Sequence, residues 1–408
     1  MKNFNPNITY FARTNFRNEN KVFGIYTHDR IQGGGIYVLG KVGTGKSTLL
    51  KNLLLDDITN PKTKGVFVSD IHNDIIPDIL PLIPESRKTD VIHLNLPDPN
   101  MEYGYNPIRC GLPFHKRSLV ASSILEAFKK IWDKRSWGSR MESIFRAAIL
   151  SLLDQKQATL VDLKRLLLDE HFRNKHIIPN IVNQELQDYW KLEYPRFGKS
   201  DVLPILTKIN TLLAHPVIYN FLVKNKKQIS LRYAMDNSQI ILVSLSRGEI
   251  GADAAHLIAG ILLNAISVSG FSRADTPEHQ RSPFMLFLDE FSFYSSDSVL
   301  EMLSQLRKMK ISAVYVHQYL GQLSKEIREG LLGSVSTIIC FRLSAADAKI
   351  MAQEFYPTFH HSDFTSLESY HIYLKMLISG TQSKAFSATT LPFPTLSAMI
   401  NTDSSITP

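Results

Sequence analysis

A chain of 408 residues, 44% hydrophobic and 21% charged, has the make-up of an ordinary globular protein with one large domain or two moderate ones, and not of a disordered tail. Lysine and arginine number 46 against 38 acidic residues, and the resulting +8 points to an anionic partner, nucleic acid before membrane. Cys110 and Cys340 are the only cysteines and show no ligand-like spacing, which excludes a disulfide framework and favours a reducing, cytoplasmic setting. The opening MKNFNPNITYFARTNFRNEN lacks an apolar signal core. The longest apolar run, residues 256–271, is too short and too polar at its ends for a membrane span, so none is expected.

In chain order, the first predicted element is a buried strand at 36–39 (IYVL), followed by GKVGTGKS and a helix start, TLLKNL. Gly40, Gly43, Gly45, Lys46 and Ser47 fit G-x-x-x-x-G-K-[ST]. Glycine lets the backbone close on an anion, so Gly40, Val42, Gly43, Thr44 and Gly45 form a nest of N–H groups ahead of a helix N-terminus that also favours negative charge. Lys46 would reach the β- and γ-phosphates, Ser47 would hold Mg²⁺, and Thr48 opens the helix beside the phosphates. Further strands are predicted at 66–69, 91–94, 240–245, 284–288, 313–317 and 337–341. Each is short and almost wholly apolar, as parallel strands covered on both faces are. Residues 114–227 carry helical periodicity and no good strand. The chain closes with two alternating runs about Ser379-Gly380, a β-hairpin. The expected fold is α/β: a P-loop core with a mainly parallel sheet, an inserted all-helical subdomain and a C-terminal β-hairpin. The corresponding division is 1–113 and 228–395 for the core, 114–227 for the insertion and 396–408 for a tail.

The strand at 284–288 runs into Asp289 and Glu290. An aspartate at a strand's carboxyl edge suits a Mg²⁺ contact, partly through water, and an adjacent glutamate can polarise an attacking water, which an ATP hydrolase needs. Gln318 ends the next strand, where its amide can bond the γ-phosphate or the water. The guanine-reading N/T-K-x-D pattern is absent. ATP and Mg²⁺ are the cofactors these residues imply.

The run LDEFSFYSSDSVLEMLSQLRKMKISAVYVHQYLGQL and its continuation to residue 355 resembles the HerA–FtsK superfamily of motor ATPases, and within it the type IV secretion coupling-protein branch. GVFVSDIHNDI is similar to that branch's strand ending in a D-P-H-G-D-like turn, with Ile71 in place of proline and Asn73 in place of glycine. YGYNPI and SWGSRMESIFRAA match its other landmarks, so the likeness spans about 35–390. The resemblance implies a RecA-like core, homohexamers with ATP at subunit interfaces, and DNA drawn through a central channel. It also implies a neighbour's arginine at each site, for which Arg342 is the first candidate and Arg140 the second.

Contacts to DNA in such a motor are mostly to phosphate and independent of base sequence. Lys129 and Lys130 with Lys134 and Arg135, Lys224 with Lys226 and Lys227, and Arg307 with Lys308 and Lys310 are the basic runs available. His72, His360 and His361 have no metal-ligand spacing and are expected in loops; the aromatic residues of DEFSFYSS are expected to pack at a subunit contact or in the core. The expectation is a homohexameric, ATP-dependent DNA translocase. The alternative is an ATP-binding ring that recruits a protein such as a nuclease or relaxase, in DNA transfer or phage defence.

Overall fold

Short apolar runs that cannot leave either face in water settle side by side in a sheet covered on both faces. All seven predicted runs join one sheet; six are buried at every position, and 91–94, the strand at one edge, alternates between buried and half-buried. The computed structural model describes residues 5–15, 19–59, 64–108, 113–131, 137–224, 227–294 and 304–394; the tail and Cys110 lie outside them. The strands of the main sheet are β1 (Ile8–Thr14), β2 (Val22–Tyr26), β3 (Ile36–Leu39), β4 (Gly65–Asp70), β5 (Val91–Asn95), β6 (Ile240–Ser244), β7 (Phe284–Leu288), β8 (Ile311–His317), β9 (Thr337–Cys340), β10 (His371–Lys375) and β11 (Phe386–Thr390). Their order across the sheet is β2-β1-β11-β10-β9-β3-β8-β7-β4-β6-β5. From β9 to β6 every pairing is parallel, and β2, β1, β11, β10 and β9 pair antiparallel. This is the RecA-like α/β arrangement, mixed but mainly parallel around its centre.

The predicted hairpin is present as β10 and β11, extended by a two-residue ladder, Leu377–Ile378 with Thr381–Gln382, around Ser379 and Gly380. It is part of the main sheet. β1 and β2 were not expected; only the lack of a signal core marked their sequence. They add two strands beyond the hairpin. Over β1 the burial alternates up to Phe11, and at the register shift between Tyr10 and Ala12 both Phe11 and Ala12 are buried.

Register brings the carboxyl ends of the central strands level. Leu39 pairs with His317, Leu288 with Tyr315, and Ser69 with Leu288. In open parallel sheets that edge is where ligands bind. Helix Lys46–Thr59 rises from it and buries Leu49, Leu50, Leu53, Leu54 and Ile58 in a core shared with Val38, Val68, Phe287 and Val316. Each such side chain removed from water contributes about 1.5–3 kcal/mol, so this face fixes the helix start beneath the loop.

The chain divides into two compact units. The first comprises residues 1–93, 232–244 and 270–408; the second comprises 94–231 and 245–269. Among the described residues the second is helical apart from the end of β5 and a short parallel ladder, Tyr103–Gly104 with Lys227–Gln228, which joins two of its segments far apart in sequence. Its main helices include Phe114–Ile131, Ser139–Leu153, Leu160–Leu168 and Lys199–Leu213. Helix Leu160–Leu168 starts on a Thr159–Asp162 capping box, and Trp190, fully buried, donates its Nε1–H to Ser151 Oγ at 2.7 Å. Among the described residues one unbroken helix, Ala252–Asp275, is long and apolar enough to cross a membrane, and 72% of its apolar window is buried. The run at 256–271, read as too short for a span, therefore lies in a longer helix than expected, with the burial usual for a core helix.

Candidate active site

β3 is buried at every position and ends at the glycine turn. Gly43 and Gly45 take φ of +76° and +112°, a conformation that costs side-chain-bearing residues steric energy, so the turn needs glycine there. The turn is tied to the strands on either side of β3. The Gly40 N–H donates to His317 O at 3.3 Å, and the Lys41 N–H to Arg342 O at 3.0 Å. Thr44 Oγ1 and Lys46 Nζ both donate to Lys41 O at 2.8 Å, closing the loop on itself. Leu49 N–H donates to Gly45 O, the first turn of the helix, which leaves the N–H groups before it directed at the loop's cavity.

That cavity, about 300 Å³, lies wholly within the first unit and is lined by the Val42–Thr48 region, His72, Asp74, Asp289, Glu290, Gln318 and Tyr370. Lys46, Ser47, Asp289, Glu290 and Gln318, far apart in sequence, are thus brought to one site. Burial lowers the Lys46 pKa, and Asp289 and Glu290 oppose that shift.

The acidic side is built from two strand ends. Asp70, ending β4, accepts four backbone N–H groups: Asn73 and Asp74 on Oδ1 (2.7 and 3.3 Å), Ile75 and Ile76 on Oδ2 (2.8 and 2.9 Å). Asn73, at the position where the resemblance expects glycine, has φ +61°, a left-handed conformation that asparagine tolerates. The departure in sequence therefore keeps a glycine-like backbone. Carboxylate oxygens of Asp70, Asp74 and Asp289 lie within 4.8 Å of one another. Burial first, then Asp74 and Asp70, push the Asp289 carboxyl up to about 7, with His72 opposing. Three carboxylates with their oxygens gathered this closely are a donor set that fits a divalent cation, and hard oxygen donors suit Mg²⁺.

Glu290 adopts φ 52°, ψ 64°, a strained conformation at the strand's exit. Its carboxylate is held on three sides: His72 Nε2 at 3.2 Å, Gln322 Nε2 at 3.3 Å and Gln318 Nε2 at 3.5 Å. The strain and the three bonds fix the carboxylate over the cavity. His317 beside it is fully buried between Tyr37 and Phe291, and burial lowers its pKa to about 4, so it is neutral at physiological pH. Phe291 and Tyr294 of DEFSFYSS are buried in the core.

Sequence reasoning did not select His72, Asp70, Asp74, Gln322 or Tyr370. In the sequence the DIHND turn stands out only as a family landmark, and the spacing of its acids and histidine is the available signal. Tyr370, some 325 residues from the loop it touches, gave no signal in sequence.

Arg342 does not line the cavity of its own chain. Its guanidinium donates to Leu367 O at 3.4 Å. Arg140, in the second unit, pairs with Asp201 at 2.8 Å and lies over Phe197. Among the basic candidates, Lys129 sits between Glu142 (2.8 Å) and Glu126 (3.4 Å). Lys227 bonds Glu102 at 3.1 Å and lies 4.4 Å from the Tyr103 ring centre. Lys224 is exposed at the end of the turn Asn220–Lys224. Lys226, Lys134, Arg135 and the side chain of Lys130 lie outside the described residues.

A glycine turn on a central parallel strand, with an acid pair ending a strand of the same sheet, gives this chain the fold of the RecA-like P-loop ATPases. Solved structures with that fold include the plasmid coupling protein TrwB in complex with ADP and Mg²⁺, at TM-score 0.65 and 15% identity, covering 95% of each chain. The unbound form of this bacterial conjugative coupling protein superposes at TM-score 0.66 and 15% identity, covering 91% of this chain and 87% of that one. VirB4 of Thermoanaerobacter pseudethanolicus follows at TM-score 0.61 and 12% identity, covering 96% and 97%. TrwB has also been solved with the GTP analogue GDPNP and the ATP analogue ADPNP. These neighbours fall where the sequence resemblance points, and at such identities the likeness is one of fold. No family model matches the chain, and no curated protein matches it in sequence.

Proposed function

We propose that this protein is a Mg²⁺-dependent ATP hydrolase that works as a homohexameric ring and moves DNA through a central pore. One observation carries the hydrolase part: the phosphate turn, Lys46, Ser47, Asp289, Glu290 and Gln318 converge on a single cavity at the carboxyl edge of the sheet. The fold of a conjugative coupling protein, over most of both chains, supports the motor part.

In this mechanism the N–H groups of the 40–45 turn and the Lys46 ammonium hold the triphosphate, with Thr48 at the helix start. Ser47 and Asp289 would hold Mg²⁺, with Asp74 and Asp70 beside them. When bound, the cation would supply charge neutralisation to the triphosphate. Glu290 is the general base that orients the water, and His72 and Gln322 fix its carboxylate. Gln318, bonded to Glu290, reads the γ-phosphate. Arg342 of one subunit completes the neighbour's site. Lysines 224, 226 and 227, then 129 and 130, are the candidate contacts to DNA phosphates.

The alternative ring that recruits a protein partner such as a nuclease or relaxase is favoured by one observation: Lys129 and Lys227 are already paired with carboxylates. A single experiment separates the two. The translocase predicts that double- or single-stranded DNA raises the ATPase rate and that a triplex-forming strand is displaced. Basal turnover unchanged by any DNA, with no displacement, overturns it in favour of the recruitment ring.

A further inference from the structure

The phosphate turn and the carboxylates account for the triphosphate end of a nucleotide and leave its base without a partner. One side chain in the cavity has had no role so far. Tyr370 precedes β10, and the residue is 49% exposed in a cavity otherwise lined mainly by polar residues. The ring lies on the turn itself: a Cβ built on Gly45 would sit 2.8 Å from Tyr370 Cδ1. The glycine at this point of the turn therefore makes room for the tyrosine as well as for the positive φ.

The backbone of Tyr370 is fixed from both sides. Its N–H donates to Thr44 O at 2.8 Å, and its carbonyl accepts from the Thr390 N–H at 2.9 Å and from Thr390 Oγ1 at 3.2 Å. The preceding Ser369 Oγ donates to Gly43 O at 3.4 Å. Tyr370 also has φ +69°, a conformation that disfavours a bulky side chain by about 1–3 kcal/mol. A strained, half-exposed aromatic ring strapped to a phosphate loop is a ring held in place for a ligand. Burial in the core would give it packing instead, and a free surface position would not need the strain.

The order of groups along a bound nucleotide places the ligand. Glu290 and Gln318 mark the γ end. Lys46 and Ser47, which would hold the cation, serve β and γ, and the N–H groups of the turn cradle α and β, so the nucleoside leaves on the side of the turn, away from the carboxylates. The fixed contacts of Tyr370 are with Thr44 and Gly45 of the turn.

We propose that Tyr370 is the stacking platform for the base of the nucleotide, a subsite that reads the π-face and so accepts either purine. This rests on the nucleotide site proposed above and adds its base specificity. Stacking on an aromatic side chain is worth about 1–3 kcal/mol per base, which is roughly 5- to 150-fold in affinity.

The test compares wild type, Tyr370→Phe and Tyr370→Leu. Leucine keeps a bulky side chain with the same backbone strain and has no π-face. Calorimetry measures binding of Mg²⁺-ATP, Mg²⁺-GTP and Mg²⁺-tripolyphosphate, which has no base. Tyr370→Leu is expected to weaken ATP and GTP by about tenfold or more and by similar factors, with tripolyphosphate unchanged. Tyr370→Phe stays close to wild type for all three. Unchanged ATP and GTP affinity in Tyr370→Leu overturns the proposal. So does a parallel loss of tripolyphosphate, since Tyr370 would then only support the loop, and so does a loss confined to one purine. Wild type that binds tripolyphosphate and ATP equally well rejects the base subsite and keeps the phosphate site. Wild type that binds neither rejects the phosphate site itself.

Discussion

Asp289→Asn separates the electrostatics of the acidic cluster from the chemistry it serves. Burial first, then Asp74 and Asp70, lift the Asp289 carboxyl from its ordinary 3.8 to about 7. A displacement of that size corresponds to roughly 4 kcal/mol. The carboxylate keeps part of its surface open to the cavity, so solvent screening leaves about 2 kcal/mol as the working figure. The folded chain holds this proton more tightly than the unfolded chain. Stability of the metal-free protein therefore falls as pH rises from about 4 to about 7, and the full cost remains above 7. Asparagine removes the charge and keeps the shape. In thermal melts with chelator present, Asp289→Asn is expected to be the more stable protein at pH 8, by about 2 kcal/mol or a few degrees. The gap should narrow below pH 7 and close near pH 4. Millimolar Mg²⁺ at pH 8 should then raise the wild-type Tm more than that of the variant, because a cation offsets the same repulsion. A variant no more stable than wild type at pH 8, or a gap that ignores pH, refutes the reasoning.

Lys46→Ala removes the cradle's side-chain cation and should abolish measurable Mg²⁺-ATP binding by calorimetry; tight binding would reject the phosphate-site assignment. Glu290→Gln keeps the shape and the αL backbone, so it should bind ATP and turn over about 10²–10⁴ times more slowly in a steady-state phosphate-release assay; wild-type turnover would assign the base elsewhere. DNA affinity should fall with log[salt] at a slope of about −0.9 per phosphate contacted, and joint charge reversal at Lys224, Lys226 and Lys227 should shrink that slope without changing ATP affinity; a flat salt profile contradicts a backbone-tracking pore. Arg342→Ala should form rings and bind ATP yet lose ~10³–10⁵ in rate, and mixing it with Lys46→Ala should restore some activity at interfaces that hold both an intact loop and an intact arginine. Mixed rings confirmed by mass spectrometry but inactive at every ratio would remove Arg342 from the neighbour's site.

What was legible in the sequence followed from local constraints. Residues 36–39 and 284–288 have nowhere to place an all-apolar run except between two layers, and the Gly43 and Gly45 positions demand glycine whatever the tertiary context. The acid pair could be read because it directly follows a buried strand. β1 and β2 could not be read, because Thr9, Arg13 and Thr14 interrupt the apolar pattern of β1, which pairs with a hairpin strand more than 350 residues later. One cause of that interruption is a buried ionic group. Thr9 Oγ1 and Lys64 Nζ bond Asp57, which also takes Arg30 at 2.6 Å, and no run of polar letters announces such a network. His72 and Gln322 were missed for the same reason. Each acts through Glu290, and their meeting there is a product of register across the sheet.

That register also bears on how one site would sense the next. The N–H groups of Gly40 and Lys41 are bonded to the backbone where β8 and β9 end, at His317 and Arg342. The residue following His317 is Gln318, which touches Glu290, and Arg342 is the arginine proposed to serve the neighbouring subunit. The phosphate turn is therefore joined by single main-chain hydrogen bonds to the segment proposed to read hydrolysis on one side and to the segment proposed to act in trans on the other. A shift of the turn when the γ-phosphate leaves needs no long relay to reach either group. Buried β3, with every residue packed and paired on both edges, cannot yield to that shift, so the loop and the two strand exits must take it up. In a ring, this short connection would let the chemical state of one site set the position of the arginine offered to the next.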